Sequence, residues 1–543
     1  MKKIACAVFI SALLSACGGG GSSSPAPTPT PAPAPAPLAS NQLAQQCVTP
    51  RAAGTIDPFS QHAYGDVQGS LTTEKQWIRS WVNDTYLWYQ DIVPTDPALF
   101  VLGASVPRIN PSNNSQSMVT LQTNFDVVDT YFNNQRSLLL TPSGKPKDQF
   151  HFTYLTDDWV ALSLAGSSVG FGFRVALIAS SPPRSALVAY SEPGSPAAVN
   201  NLNRGARFIS VNGVDVASGN PATLNEGLFS PLPGKPYTFE VLDQGSSTTR
   251  SITMTAITVI STPVQNVRTL PAPYSRVGYI QFNDHLATAE SQLIAAVNQL
   301  NAANGGSGID DLVLDLRYNG GGLLDIASEL AYMIAGSVAT TGKAFETLSF
   351  NDKNPFNLSN ADRSTPFHNV TQGLSTTSGL SLPQLGLPRV YVIIGSGTCS
   401  ASESIINGLK GAGIDVILVG GTTCGKPYGF YPQDNCSVTY FTIQFKGVNQ
   451  AGFGDYADGF SPGGTGSPAN HLPGCVVADD FSKALGDNTE ARLAAALQYR
   501  TSGTCPVTPS ALKAAVTGSS GGEALSGQSQ MLENRYLRPK SRF

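Results

Sequence analysis

Apolar residues recur at helical spacing in "TTEKQWIRSWVNDTYLWYQDIV". Trp77, Trp81 and Trp88 fall at i, i+4 and i+11, which predicts one buried helix face. Glu74 sits in the predicted first turn, where a negative charge suits the helix dipole. A second helix is predicted over about 119–138, and "DQFHFTYLTDDW" reads as a short extended segment. From 168 to 258 the pattern becomes strand, glycine turn, short helix and further strands. From 275 to 500 apolar strands alternate with amphipathic helices, which predicts an α/β core. "RVGYIQF", "IDDLVLDLRYNGGG", "RVYVIIG" and "IDVILVGG" are its strands. "AESQLIAAVNQLNAANG", "LLDIASELAYMI" and "SASESIINGLKGAG" are the helices between them, and "LGDNTEARLAAALQYR" (485–500) closes it. Residues 350–388, rich in Ser, Thr, Asn and Pro, read as a long excursion, and the polar tail after Cys505 as disordered.

Composition narrows the class. A chain of 543 residues predicts two to four domains. With 13% charged residues, a net charge of −4 and no long basic run, nucleic-acid binding has little support. The start of the chain sets the compartment. "MKK" precedes the apolar run "IACAVFISALL", which is too short for a membrane anchor. "LSAC", Leu14 to Cys17, resembles a bacterial lipobox. That resemblance implies a signal peptide over 1–16 and a lipid on Cys17. Residues 17–45 then form a Gly/Ser/Pro linker, in which Pro25 to Pro37 extends roughly 40 Å as polyproline helix. With Gly18 after the cysteine, resemblance to Gram-negative lipoproteins implies the cell envelope, at the outer membrane.

Six cysteines remain for an exported chain: Cys47, Cys399, Cys424, Cys436, Cys475 and Cys505. Disulfides are expected, with the pairing open; Cys424–Cys436 would close a short loop. No Cys-x-x-Cys or ligand-spaced histidine supports a metal, and no cofactor is expected.

Residues 168–258 resemble a PDZ domain. Gly170-Phe171-Gly172-Phe173 matches that family's carboxylate-binding loop, and Gly194–Val216 its helix, strand and turn. Loop amides of this kind hold a peptide carboxylate while a neighbouring strand edge takes up the peptide.

Three serines, Ser400, Ser402 and Ser404, lie where the "RVYVIIG" strand gives way to a helix. Ser400 stands at the predicted helix start, where free N–H groups favour negative charge. Ser400 and Glu403 also fit a capping box, the non-catalytic reading of the same residues. None of His62, His151, His285, His368 and His471 lies in this segment. The turn after the next strand carries Lys426, and a right-handed crossover brings parallel strand ends to one crevice. Lys426 is thus the candidate base. It must lose its proton near neutral pH, at a cost on the order of 4–5 kcal/mol, with Tyr428 and Phe430 available to bury it. The Ala401 amide and the glycine turn 317–322 are candidate oxyanion donors.

Together, "LVLDLRYNGGGLL", "GTCSASE" and "GKP", behind a PDZ-like segment, resemble the C-terminal processing peptidases, the tail-specific serine proteases of family S-41. The resemblance covers about 70–500. It implies a multidomain α/β protein: a helical N-terminal domain (46–165), a PDZ-like β-rich domain (166–260), an α/β crotonase-like serine peptidase core (261–505) and a disordered tail (506–543). It implies Ser400 as nucleophile, Lys426 as general base, and Ala401 with Gly321 as oxyanion donors. Protein or peptide substrates, chosen by their C-termini, follow. There are departures. The Ser–Lys separation is 26, one more than the usual pattern, Cys399 replaces an alanine, and Phe430 stands where a glutamine is usual. Gln433 and Glu403 are candidates to orient Lys426. The alternatives are a peptide- or ligand-binding protein without turnover on the same scaffold, and another acyl hydrolase such as an esterase.

Overall fold

Six strands form the sheet that carries the candidate site: β1 (Val264–Thr269), β2 (Val277–Phe282), β3 (Asp311–Asp315), β4 (Arg389–Ile394), β5 (Asp415–Gly420) and β6 (Gly474–Val476). They lie side by side in that order, β1 antiparallel to β2 and the others parallel. The computed structural model describes residues 38–466 and 468–507, with the backbone of Arg535 and Tyr536. The expected signal peptide, Cys17, nearly all of the linker and nearly all of the tail lie outside the described residues. Among the described residues no helix is long and apolar enough to cross a membrane.

The sheet is covered on both faces, which is why its strands read as nearly continuous apolar runs. Along β4, Val390, Val392 and Ile394 enter one core while Tyr391 and Ile393 enter the other. Helices α1 (Ala289–Gly306), α2 (Leu324–Thr340) and α3 (Ala401–Ala412) contribute to the first core, and α4 (Ala491–Ser502) to the second. Each of α1 and α3 links two neighbouring parallel strands, so the turn before α3 and the loop after β5 lie at the same sheet edge.

The N-terminal region is helical over Leu71–Thr85, Asn124–Asn133 and Thr156–Ala165, with a hairpin of Ser105–Ile109 and Gln116–Thr120. Its helices begin where the sequence supplies caps: Thr73 N donates to Ser70 Oγ and Asp126 N to Thr123 Oγ1. This region shares one continuous core with the α/β sheet. Trp77 and Trp81 stack at 5.3 Å, and Tyr440, from a strand late in the chain, packs against both. Trp88 departs from the expected stripe. The helix ends at Thr85, and Trp88 packs edge-on against Tyr86 and Tyr428 instead.

The middle region forms an antiparallel sheet of Phe173–Ala179, Ser185–Ser191, Arg207–Val211, Pro236–Leu242 and Arg250–Thr255 with its own core. Phe173–Ala179 is an edge strand of that sheet. The region is fastened to the α/β core by Arg204, whose guanidinium donates to Asp479 at 2.7 Å and to the Tyr318 hydroxyl at 2.6 Å.

The excursion between α2 and β4 is built as well. Ala344–Phe350 pairs with Ser364–Pro366 and with Phe445–Val448, which in turn pairs with Tyr428–Gly429. Farther along, five successive amides, Gln372 to Thr376, donate to the Glu290 carboxylate of α1 at 2.7–3.0 Å. Glu329 of α2 accepts from Gln372 N as well. Burial, and then the neighbouring Glu290, pushes the Glu329 carboxyl up to about 9. The unfolded chain ionises this group near 4.5, so between these values the native state holds the extra proton. Stability therefore falls as pH rises through this window. Glu329→Gln is expected to flatten that fall, read as melting temperature from about pH 5 to about pH 9.

Candidate active site

Three neighbouring strands end at one place. The turn after β3 is Arg317–Gly322, the turn after β4 leads to Ser400, and the loop after β5 carries Lys426. Arg317 anchors the first turn. It is buried and bonds Asp315, Asp479 and Glu490, with Nη1–Glu490 at 2.9 Å. Those three carboxylates offset its charge, and Arg204 shares Asp479 with it; removing one partner of such a buried set typically costs about 3–5 kcal/mol.

Ser400 sits immediately before α3 with φ +60° and ψ −114°, a left-handed backbone that a non-glycine residue adopts only under constraint. Its side chain is fully buried, and its hydroxyl has no hydrogen-bond partner. The expected capping-box arrangement is present, but only one of its two bonds has full hydrogen-bond geometry: Ser400 N donates to Glu403 Oε2 at 2.9 Å, while the serine oxygen makes none. Ser402 and Ser404 are spent. Ser402 Oγ donates to Asn319 O at 3.0 Å and Ser404 Oγ to Ser400 O at 3.3 Å.

Lys426 is fully buried, with Nζ 4.5 Å from the Phe150 ring centre and 4.7 Å from that of Phe430. Phe430 is thus a wall of the lysine pocket. Tyr428, also expected beside the lysine, packs edge-on against Trp88. Of the two residues considered for orienting Lys426, Gln433 is exposed, on a hairpin strand, and bonds Asp434 O. Glu403 does hold the loop. Its carboxylate accepts from Gly425 N at 2.9 Å, Lys426 N at 2.8 Å and the Thr423 hydroxyl, besides Ser400 N. Burial pushes this carboxyl above its ordinary range, against the pull of those four donors.

The glycine turn lies directly on the serine. A Cβ on Gly321 would stand 2.8 Å from Ser400 Cβ and 2.9 Å from Ala401 N, and φ there is +105°. Ala401 begins α3, so its N–H has no acceptor within the helix. The Gly321 N–H donates to Asn319 Oδ1 at 3.0 Å, so in this state that amide is engaged within its own turn.

Asn319 was not among the candidates. Its carbonyl accepts from Cys399 N at 3.1 Å and from Ser402, and its side chain bonds Gly321 N, Phe282 O and His285 Nδ1. His285 is also new to the site. Its backbone brackets the turn, donating to Gly321 O and accepting from Leu323 N. Burial pushes its imidazole down to about 3, so the ring is neutral. Its place after β2, at the same sheet edge, is the signal that could have found it.

The disulfides fill in the pairing that the sequence left open. Cys424 pairs with Cys399, not Cys436; Cys47 pairs with Cys436 and Cys475 with Cys505. The short loop is closed across the serine and lysine turns instead. Among the described residues Cys399, Glu403 and Cys424 form the one grouping of metal-ligand types, and its two sulfurs are bonded to each other.

In the middle region Gly170 ends the strand Ser167–Gly170, Phe171 is buried against Phe239, and Phe173 begins the edge strand. Gly172 has φ +80°, and a Cβ there would lie 2.2 Å from Ser195 Cβ.

Comparison with known proteins fits this arrangement. Residues 276–429 match peptidase family S41. A carboxyl-terminal-processing protease of Picosynechococcus sp. is 28% identical over 242 residues, 43% of this chain and 49% of that protein. A carboxyl-terminal-processing protease of Synechocystis sp. is 28% identical over 138 residues, 25% of this chain and 31% of that protein. The chain thus spans half or less of the length of these curated relatives. A Bacteroides fragilis protein solved as a candidate S41 protease shares the fold, with a TM-score of 0.54 and 22% identity over 81% of this chain and 98% of that one. The chain is a multidomain α/β protein, and its residues 276–429 are similar to peptidase family S41.

Glu403→Gln replaces one acceptor oxygen by an NH₂ group that faces N–H donors. Each donor left unsatisfied costs about 1–3 kcal/mol. The variant is expected to melt several degrees lower than the wild type by circular dichroism, with Glu403→Asp intermediate.

Proposed function

We propose that this protein is a serine endopeptidase of the carboxyl-terminal-processing type. The observation that carries this reading is the Ser400 hydroxyl: buried, unbonded, held in left-handed backbone at a helix N-terminus, in a turn tied by Glu403 to the loop of Lys426. A serine kept only to cap its helix would use its oxygen for the cap.

Ser400 Oγ attacks the scissile carbonyl and its proton passes to Lys426 Nζ, which acts as the general base. The oxyanion is received by the Ala401 N–H and by Gly321 N–H once released from Asn319. Lys426 returns the proton to the leaving amine, and an acyl-enzyme remains on Ser400. Water, deprotonated by Lys426, then frees the carboxylate product and restores the serine.

A peptide substrate is supported by the backbone of Arg535–Tyr536, which runs parallel to Gly322–Leu323 beside Ser400. The edge next to the nucleophile therefore accepts an extended chain. In this reading the loop Gly170–Phe173 and the edge strand after it bind the substrate's C-terminal end. The protein acts in the cell envelope, held at the outer membrane by a lipid on Cys17.

Ser400→Ala and Lys426→Ala are each expected to lower the cleavage rate of a denatured protein by about 10³-fold or more, with melting temperature little changed. Normal cleavage by either variant removes the dyad. A wild type that binds peptides through residues 168–258 and never cleaves supports a binding protein instead.

A further inference from the structure

Ser400 and Lys426 sit on separate turns, and one covalent bond joins them. Cys399 directly precedes Ser400, and Cys424 stands two residues before Lys426. Their Cα atoms are 5.2 Å apart across the bond. Residues 421–427 carry no helix or strand, so the placement of Lys426 rests on contacts from outside its loop. Cys424 N donates to Thr398 O at 3.0 Å, Glu403 holds the amides of Gly425 and Lys426, and the disulfide completes the set. All three reach the segment 398–403, which contains the nucleophile. The strained Ser400 backbone persists only if its surroundings over-determine it, and the bond to its immediate neighbour is one such constraint.

We propose that the Cys399–Cys424 disulfide is a positioning cross-link for the Ser400–Lys426 dyad, and that its reduction by a dithiol switches the enzyme off. The inference rests on the peptidase reading above. Cys399 is fully buried and Cys424 is partly exposed, so a dithiol's thiolate attacks Cys424 Sγ. Cys399 leaves as a thiolate and takes a proton. The second thiol of the reagent then displaces Cys424 Sγ, which is protonated in turn. One protein disulfide is reduced to two thiols, and one dithiol is oxidised to a cyclic disulfide. Two thiols cannot remain at the roughly 2.05 Å of a bonded pair and must separate by on the order of 1.5 Å. Cys424 Sγ already lies 3.4 Å from Glu403 Oε2, so the displaced sulfurs crowd the carboxylate that holds both turns. A shift of about 1 Å between reacting groups is enough to cost about 10²-fold in rate.

The test compares the full-length wild type with Cys399→Ala/Cys424→Ala and with Cys475→Ala/Cys505→Ala, on fluorescein-labelled denatured casein. The second pair is the control, because Cys505 is exposed and that disulfide is reduced under the same conditions. Dithiothreitol is expected to lower kcat about tenfold or more in the wild type and the control variant, with KM unchanged within about twofold. Reoxidation restores both. The Cys399/Cys424 variant is expected to start at the lowered kcat and to ignore dithiothreitol. Wild-type kcat in that variant, or a loss confined to KM, overturns the proposal. So does a dithiothreitol effect that the Cys475/Cys505 variant lacks. If the oxidised wild type cleaves and the cross-link variant matches it, this inference alone fails. If the oxidised wild type does not cleave at all, the peptidase reading fails and takes this one with it.

Discussion

Glu403 is the constraint on which the site depends. One buried carboxylate accepts from Ser400 N at one turn and from Gly425 N, Lys426 N and the Thr423 hydroxyl at the other. A carboxylate offers about four lone-pair sites, and here four donors converge on them. Neither turn has regular structure to hold it, so the carboxylate sets their separation together with the Cys424 N–Thr398 O bond and the Cys399–Cys424 disulfide. Its burial would be costly without those donors, and the donors would be orphans without it. The arrangement is therefore stable only when both turns are in place.

Around that centre the fold supplies rigidity in layers. Parallel strands β3, β4 and β5 deliver three turns to one sheet edge. Arg317, with Asp315, Asp479 and Glu490, fixes the glycine turn from below. Asn319 stitches that turn to the serine turn through Cys399 N and Ser402 Oγ. Arg204 reaches the same Asp479 and Tyr318 from the middle region, so the domain expected to bind peptide ends bears directly on the residues beside Gly321.

Much of this was legible in the sequence, for local reasons. Strand and helix alternation gave the α/β core, and the crossover rule placed Lys426 near Ser400 without any histidine. The rank order of the serines followed from their positions relative to the helix start; in the fold Ser402 and Ser404 donate to backbone carbonyls. What escaped depends on long-range placement. Asn319 and His285 look like ordinary polar residues until β2 and β3 are set side by side. The Cys399–Cys424 pair required the two turns to meet, whereas sequence proximity suggested Cys436. Trp88 fits the spacing of a helical stripe, yet the helix stops three residues earlier, at Thr85. Phe430 looked like a missing polar partner. In the fold it is an aromatic wall over Lys426 Nζ, and the polar hold on the loop comes through the backbone from Glu403.

The most direct measurement is the position of the adduct formed by a serine-reactive fluorophosphonate, mapped by peptide mass spectrometry. The account expects the label on Ser400 in the wild type and its loss in Lys426→Ala. A label on Ser402 or Ser404, or a Ser400 adduct undiminished without Lys426, would contradict it.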